Sequence, residues 1–307
     1  MKVFHALSEA AELAGCALAL GNFDGVHLGH QALFRLASAL ASPAALTFEP
    51  HPGKVLQPQL APKLITTPAR KLELFSACQL AAALVVPFTP AYAATSAESF
   101  EASLLDGLQV AHLIVGRDFT YGARRAGTVD TLRRAALARS AHLHVVPPVT
   151  VEGVVASSSR IREYLLEGRV AAARALLGRP FDLDGTVVRG DGRGRTLGWP
   201  TANVDSDAEI IPGSGVYAVR VRLATSPAAV WRGGAANVGS KPTFGGTEVT
   251  LEVHILDWSG DLYGQQVRVE FLERLRPEQR FGSVPELAAQ IRRDVEAARA
   301  VVGPPTG

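Results

Sequence analysis

Two histidines three residues apart, His27 and His30, lie in a glycine-rich stretch, residues 21–30, that could bind phosphate. An apolar run before it, residues 16–20, predicts a short buried strand, and apolar residues at helical spacing follow it. Histidines at this spacing share one face of the first helical turn, where the helix dipole and unpaired N–H groups favour an anion. Imidazoles there can donate to phosphoryl oxygens as charge develops. The pattern predicts a nucleotide site.

A second polar segment, residues 157–162, places three serines and two arginines at the start of a predicted helix. Serine hydroxyls can donate to phosphate, and arginine supplies charge in a planar fork. Serines at this position are also ordinary helix caps about as often as ligands. The segment alone therefore leaves both interpretations open.

The first half of the chain alternates short apolar strands with helical segments, which predicts a doubly wound parallel sheet. Ligands of such sheets lie beyond the carboxyl ends of the strands. One rim is therefore expected to gather the polar residues that directly follow apolar strands, namely His27, His30, His51 and Asp118.

From residue 181 the periodicity changes to two, as in residues 217–223, where arginines alternate with valines. Turn signals separate such runs, so an antiparallel sheet or small barrel is expected, closed by an amphipathic helix from Ser283. The predicted domains are residues 1–180 and residues 181–307.

Composition fits a soluble globular protein with 47% apolar and 20% charged residues. The net charge of +2 gives no reason to expect nucleic acid or a membrane surface as a partner. An uncharged stretch, residues 74–97, contains prolines and polar residues that argue against a lipid-spanning helix. Cys16 and Cys78 show no disulfide or metal spacing, so a cytoplasmic protein is expected.

Several motifs together resemble bacterial bifunctional riboflavin kinase/FAD synthetases. The adenylyltransferase module of that family is similar to four segments of the first half, residues 21–30, 47–52, 115–122 and 157–162. The riboflavin kinase signature is similar to four segments of the second half, residues 192–203, 237–244, 251–254 and 275–281. The resemblance implies a Rossmann-like nucleotidyltransferase domain followed by a small antiparallel β-barrel kinase domain with a C-terminal helix.

The resemblance implies two ATP-dependent, Mg²⁺-requiring steps. Riboflavin would be phosphorylated to FMN in the C-terminal domain. FMN would then be adenylylated to FAD in the N-terminal domain, with release of pyrophosphate. The expected ligands are riboflavin, FMN, FAD and ATP, and the expected assembly is a monomer or weak homo-oligomer.

For the kinase step, Glu252 falls at the position of the family's general base. A ribityl hydroxyl is a poor nucleophile, so a carboxylate within reach is needed to accept its proton. Thr201 and Asn203 offer hard oxygen ligands for Mg²⁺. The glycine-rich loop is expected to bind ATP phosphate through Gly192, Arg193, Gly194 and Arg195.

For adenylyl transfer, the attacking FMN phosphate is already anionic, so positioning and charge stabilisation carry the catalysis. The resemblance assigns this role to His27, His30 and Arg162. Further ATP and phosphate contacts are expected from Gly21, Phe23, Asp24, Gly29, Ser157 and Ser158. Flavin contacts are expected from Asp118, Phe119 and Tyr121.

Other interpretations remain open at this point. By itself Glu252 would be an ordinary solvent-facing acid, and the two histidines could belong to a zinc hydrolase, although zinc usually needs three or four protein ligands. A kinase-only enzyme or a flavin-storage protein would share much of the pattern. The chain also departs from the family's usual residues at Arg117, Arg189 and Trp199.

Overall fold

The chain, described by a computed structural model, divides into two units, Met1–Ser158 and Ser159–Gly307. The structure describes residues 1–190, 198–223, 230–243 and 246–303. The predicted boundary after residue 180 coincides with the start of the first barrel strand at Phe181. The helical segment before that strand, residues 159–177, groups with the second unit.

A parallel sheet forms the centre of the first unit. The strands of this unit, in chain order, are β1 (Lys2–Phe4), β2 (Ala17–Leu20), β3 (Pro43–Glu49), β4 (Ala82–Pro87), β5 (His112–Gly116), β6 (Thr120–Tyr121), β7 (Gly127–Thr128), β8 (His142–Val146), β9 (Thr150–Val151) and β10 (Val154–Val155). Six of them pair in the order β1-β4-β3-β2-β5-β8, with every pair parallel. The remaining four form the antiparallel pairs β6-β7 and β9-β10.

Helices cover both faces of this sheet. They are α1 (Leu28–Leu40), α2 (Pro52–Leu56), α3 (Pro68–Ala77), α4 (Pro90–Ala93), α5 (Ala97–Ala102), which continues into a π-helical turn (Ser103–Gly107), and α6 (Val129–Leu137). Successive residues of β2 enter two different cores: Ala17 and Ala19 pack with Phe34 and Phe75, whereas Leu18 packs on the opposite side. Side chains of a strand alternate between its faces, so both faces are buried and the predicted doubly wound sheet is confirmed.

The strand order changes direction between β2 and β5. The chain proceeds from β2 to β3 and β4 on one side, and from β5 to β8 on the other. The crevice beyond the carboxyl ends of β2 and β5 is therefore the topological switch point, the usual ligand position in such sheets. The loop after β2 carries His27, and the turn after β5 carries Asp118.

The second unit begins with helices and continues into a closed antiparallel barrel. Helix α7 (Ser158–Leu166) starts at the last residue of the first unit, and α8 (Val170–Leu177) packs on the barrel. The barrel strands are β11 (Phe181–Val188), β12 (Ala202–Asp205), β13 (Gly215–Leu223), β14 (Trp231–Thr243), β15 (Gly246–Ile255) and β16 (Gln266–Arg276). They close in the order β11-β12-β15-β14-β13-β16, and α9 (Val284–Val302) packs against β13, β14 and β16.

The period-two prediction is confirmed in the barrel. Val219 and Val221 are buried inside, while Arg220 between them faces outward and pairs with Glu270 at 2.6 Å. On β15, Leu251 and Val253 are buried, and Glu252 between them is half-buried on the outer face. This alternation decides where the candidate kinase residues lie. No helix in the described part of the chain is long and apolar enough to span a membrane.

Candidate functional site

The loop between β2 and α1 has a backbone shape that its buried side chains fix. Phe23 and Val26 adopt positive φ values of 53° and 44°, which non-glycine residues seldom do. Both side chains are buried, and the Phe23 ring packs 4.8 Å from Phe34 and 5.7 Å from Phe75. Core packing therefore holds the loop in an unfavourable conformation at the switch point. Phe23, predicted to contact ATP, acts in this structure as the loop's apolar anchor.

His27 is the N-cap of α1. Its Nδ1 accepts hydrogen bonds from the N–H groups of Gly29 at 3.1 Å and His30 at 3.4 Å. A neutral ring that accepts at Nδ1 carries its proton on Nε2, so His27 presents an N–H donor there. The sequence predicted that unpaired helix N–H groups would attract phosphate. In the structure, two of those N–H groups instead donate to His27 Nδ1. The imidazole N–H of His27 is then the group that can donate to an anion.

His30 is held neutral by its surroundings. Its ring stacks on His27 with centroids 3.6 Å apart, and Phe23 meets its edge at 5.2 Å. The enclosed Nδ1 has no hydrogen-bond partner among the described residues. Burial, and then electrostatic interactions with His27 and Lys71, lower the pKa of His30 well below its ordinary value. At neutral pH His30 is therefore an uncharged imidazole.

Asp24 and Ser158 hold the loop to its neighbours. The buried Asp24 carboxylate accepts from the backbone N–H groups of Ile65 at 3.0 Å and Thr66 at 3.2 Å. The Ser158 hydroxyl donates to the Asp24 carbonyl at 2.9 Å. Arg162, one turn after Ser158, shares its face of α7. The roles predicted for these residues toward ATP stay predictions.

The turn after β5 presents the residues predicted to contact flavin. Asp118 is exposed, and Phe119 is half-buried with its ring stacked 5.6 Å from Tyr121. The Tyr121 hydroxyl donates to the buried Glu101 carboxylate at 2.5 Å, and burial together with that bond raises the pKa of Tyr121. Tyr121 therefore anchors the turn from inside, which leaves Phe119 as the ring that is still partly accessible.

Three polar side chains form a row across the outer face of the barrel. Asn203 on β12 and Asn237 on β14 are both in register with Glu252 on β15, which lies between them. Directly paired residues on adjacent strands share a face with Cβ atoms about 4.5–5.5 Å apart. All three are half-buried. The barrel register thus places the predicted base, Glu252, beside the predicted Mg²⁺ ligand Asn203. It also places Asn237 beside Glu252, a residue to which the sequence motifs assigned no role.

His254 fixes the segment that carries Thr201. Its Nδ1 lies 2.8 Å from the Pro200 carbonyl oxygen, which can only accept, so Nδ1 is the donor. The Trp199 ring meets the His254 ring edge-on at 5.3 Å. This bond ties the start of β12 to β15 beside the row.

Two of the residues that depart from the family pattern are not part of this row: Arg189 lies over the Tyr263 ring at 5.7 Å, and Arg117 is exposed. The predicted phosphate ligands Gly192, Arg193, Gly194 and Arg195 lie outside the described residues.

Gly190 leaves room for the Asn203 side chain. A Cβ at this position would lie 2.1 Å from Asn203 Nδ2 and 2.3 Å from its Cγ. We therefore expect Gly190→Ala to displace Asn203 from the row and to slow the FMN formation that the motif resemblance implies about 10²-fold, the usual cost of a group misplaced by about 1 Å. Steady-state riboflavin phosphorylation measures this effect.

Gly282→Ala is the matched control, since a Cβ there meets its nearest atom only at 3.5 Å. It should leave both activities unchanged, and Gly190→Ala should leave adenylylation of added FMN unchanged. An FMN-forming rate within about twofold of wild type in Gly190→Ala would show that the position of Asn203 is unimportant.

Among the described residues, no group of three or more His, Cys, Asp or Glu side chains is arranged to hold a metal ion. The hard oxygen donors expected for Mg²⁺ are of a different kind, the Thr201 hydroxyl and the Asn203 amide carbonyl. Both residues are half-buried, and Asn203 is in register with Glu252 on the neighbouring strand. This donor set fits Mg²⁺ bound together with phosphate oxygens.

Known proteins resemble this chain over nearly its whole length. The crystal structure of a protein named macrolide-efflux protein, from Streptococcus pneumoniae, is 32% identical with a TM-score of 0.88. The match covers 97% of this chain and 98% of that one. It shows that the order of a parallel-sheet unit followed by a closed barrel occurs in another protein.

Sequence families cover both units. A FAD synthetase family model matches residues 9–160, and a riboflavin kinase model, Flavokinase, matches residues 177–302. The bifunctional riboflavin kinase/FMN adenylyltransferase of Escherichia coli (strain K12) is 40% identical over 306 residues, 97% of this chain and 96% of that protein. The protein of that name from Bacillus subtilis (strain 168) is 37% identical over 304 residues, 96% and 94% of the two chains. The resemblance inferred from the motifs is confirmed, and this chain belongs to the bifunctional riboflavin kinase/FMN adenylyltransferase family.

Proposed function

We propose that this chain makes FAD from riboflavin in two ATP-dependent steps, each in its own predicted domain. The barrel, with residues 181–307, forms FMN, and the nucleotidyltransferase part, residues 1–180, adenylylates it. The observation that carries the proposal is the presence of both sites on one chain. A carboxylate and two amides form a row on the barrel, and stacked neutral imidazoles lie at the switch point of the sheet.

In the kinase step, Glu252 accepts the proton of the ribityl hydroxyl as its oxygen attacks the γ-phosphorus of ATP. The new P–O bond forms FMN, and the bond to the β-phosphate oxygen breaks to release ADP. Asn203 and Asn237 flank the carboxylate and keep it oriented along the row. When bound at Thr201 and Asn203, Mg²⁺ would neutralise phosphate charge during this transfer.

In the adenylyl step, an FMN phosphate oxygen attacks the α-phosphorus of ATP, and pyrophosphate leaves with the bonding electrons. His27 and His30 donate hydrogen bonds to the phosphate oxygens on which charge develops. Neutral imidazoles suit this role, because they bind the transition state without holding the pyrophosphate product as firmly as two cations would. Ser157, Ser158 and Arg162 supply further donors.

We further infer a cytoplasmic enzyme that acts as a monomer or weak homo-oligomer without nucleic-acid or membrane partners. Cys16 and Cys78 form no disulfide, which suits a reducing compartment. Size-exclusion chromatography with light scattering, at several protein concentrations, would measure the assembly.

The decisive test supplies the purified protein with riboflavin, ATP and Mg²⁺, and follows both flavin products by chromatography. FMN should appear first and FAD after a lag, since the product of one step is the substrate of the other. Added FMN should give FAD without a lag. Absence of FMN would contradict the kinase assignment, and added FMN that is never converted would contradict the adenylyltransferase assignment.

A further inference from the structure

Lys71 is a buried cation beside the phosphate loop that neither the motifs nor the mechanism above uses. It lies in the first turn of α3 with 8% of its surface exposed. Lysine is almost never buried to this degree unless a counter-charge pairs with it. Among the described residues, its ammonium group makes one hydrogen bond, to the Thr47 hydroxyl at 3.3 Å, and no ion pair. Two of its three N–H donors remain for another acceptor.

A short chain of hydrogen bonds connects this ammonium to the loop before α1. Thr47, fully buried on β3, accepts from Lys71 and donates its own proton to the Asn22 carbonyl oxygen at 3.0 Å. Asn22 lies five residues before His27 in the loop that the Phe23 ring anchors. Lys71 is also close enough to His30 for its charge to lower the pKa of that histidine. The lysine therefore lies at the same carboxyl edge of the sheet as the stacked imidazoles.

Two nearby carboxylates favour the charged form of Lys71. Burial lowers the pKa of Lys71, whereas the Glu49 and Asp24 carboxylates oppose that shift and favour the charged form. The Asp24 carboxylate is already engaged by backbone N–H groups of Ile65 and Thr66. A buried charge without a paired counter-ion is unfavourable, and a bound anion can offset that cost. The ammonium makes no ion pair among the described residues, so its two remaining N–H donors are available to a phosphate oxygen.

We propose that Lys71 is a phosphate-binding residue of the adenylyl-transfer site, whose ammonium donates to a phosphate oxygen once substrate is bound. The proposal rests on adenylyl transfer at the switch point. It differs from the roles of His27 and His30, because Lys71 supplies a full positive charge where the imidazoles are neutral. The phosphate can belong to ATP or to FMN, and the kinetics of the two substrates distinguish these sources.

The test compares Lys71→Met, Lys71→Arg and Thr47→Val with wild type in the conversion of added FMN to FAD. Lys71→Met keeps a long apolar side chain but removes the charge, and should lower kcat/KM about 10²-fold. Lys71→Arg should recover part of that loss. Thr47→Val removes the tether and keeps the cation, so it should cost about threefold or less. Lys2→Met, at an exposed position, controls for charge and should change nothing.

Riboflavin phosphorylation by the same preparations checks the protein concentration, and circular dichroism with thermal unfolding checks that the first unit of each variant is folded. A raised KM for ATP in Lys71→Met assigns the contact to the nucleotide, and a raised KM for FMN assigns it to the flavin phosphate. Since burial lowers the pKa of Lys71, wild-type FAD synthesis should decline at alkaline pH as the ammonium loses its proton. Lys71→Arg should move that decline to higher pH.

Three outcomes would overturn the proposal. One is FAD synthesis by Lys71→Met within about threefold of wild type. Another is an equal loss in Lys71→Met and Thr47→Val, which would make the lysine a structural tether. The third is an alkaline limb that Lys71→Arg does not move. If the first unit of Lys71→Met did not fold, Lys71→Arg and the alkaline limb of the wild-type enzyme would decide alone.

Discussion

Replacing Glu252 with glutamine is expected to lower FMN formation from riboflavin about 10²–10⁴-fold, the range for loss of a general base. Glutamine keeps the size of the side chain and one acceptor oxygen but cannot accept the ribityl proton. Because Glu252 is half-buried on the outer face of the barrel, between two interior residues, the core should be unaffected. Glu252→Ala should give a similar loss. The rate is measured with saturating riboflavin and ATP, by separation of the flavins.

Two internal comparisons make this result specific. Conversion of added FMN to FAD by Glu252→Gln should stay within about twofold of wild type, because that chemistry takes place on the other unit. Glu273→Gln, an exposed position on β16, should leave both rates intact. If Glu252→Gln lost both activities while remaining folded, the separation of the two sites would be wrong. If it kept FMN formation, another group would have to be the base.

The outward orientation of Glu252 could be predicted from sequence because it depends on a local periodicity. Leu251, Val253 and Ile255 alternate with polar residues, and such alternation sorts side chains to opposite faces of any strand. In the first unit, Ala17 and Leu18 belong to an apolar run without alternation, which is typical of a strand buried on both faces. Both features concern near neighbours in the chain, and both elements have the predicted form.

The contacts that complete the candidate sites join residues far apart in the chain, so no local periodicity in the sequence predicts them. Asp24 reaches Ile65 and Lys71 reaches Thr47, across 41 and 24 residues respectively. Strand register is equally non-local, so the pairing of Glu252 with Asn237 could not be inferred from spacing. The positive φ of Phe23 also goes against local preference, since only its packing on Phe34 and Phe75 compensates for it. Departures of this kind are expected where function constrains the backbone.

Substitution of either stacked histidine, His27 or His30, is expected to lower the rate of FAD synthesis strongly. His27→Asn and His30→Asn are each expected to slow adenylylation of FMN about 10²–10³-fold, as loss of one preorganised donor does. Riboflavin phosphorylation by the same proteins should be unchanged. His5→Asn, at an exposed position far from the loop in sequence, serves as the matched control. Single-turnover formation of FAD from added FMN gives the rate of the chemical step.

His27 has two roles in the structure, and a second substitution separates them. Asparagine at position 27 can still accept from the N–H groups of Gly29 and His30, whereas alanine cannot. His27→Ala should therefore lower the stability of the first unit by about 1 kcal/mol more than His27→Asn, at a similar loss of rate. Thermal unfolding of the two variants compares their stability. If His27→Asn retained full FAD synthesis, the His27 ring would act only as a helix cap, and other residues would have to bind the phosphate.

The pH dependence of the same reaction tests the state of His30. Its pKa is lowered well below the ordinary value by burial, by His27 and by Lys71, so it stays neutral throughout the neutral range. The rate of FAD synthesis should then show no titration of His30 near pH 6.5, and should fall only in more acidic solution as the ring gains a proton. A proton there would place a charge in a buried position, with the His27 ring stacked at 3.6 Å and the ammonium of Lys71 nearby. A wild-type step near pH 6.5 that disappears in His30→Asn would mean that a cationic His30 takes part, contrary to the neutral donor proposed here.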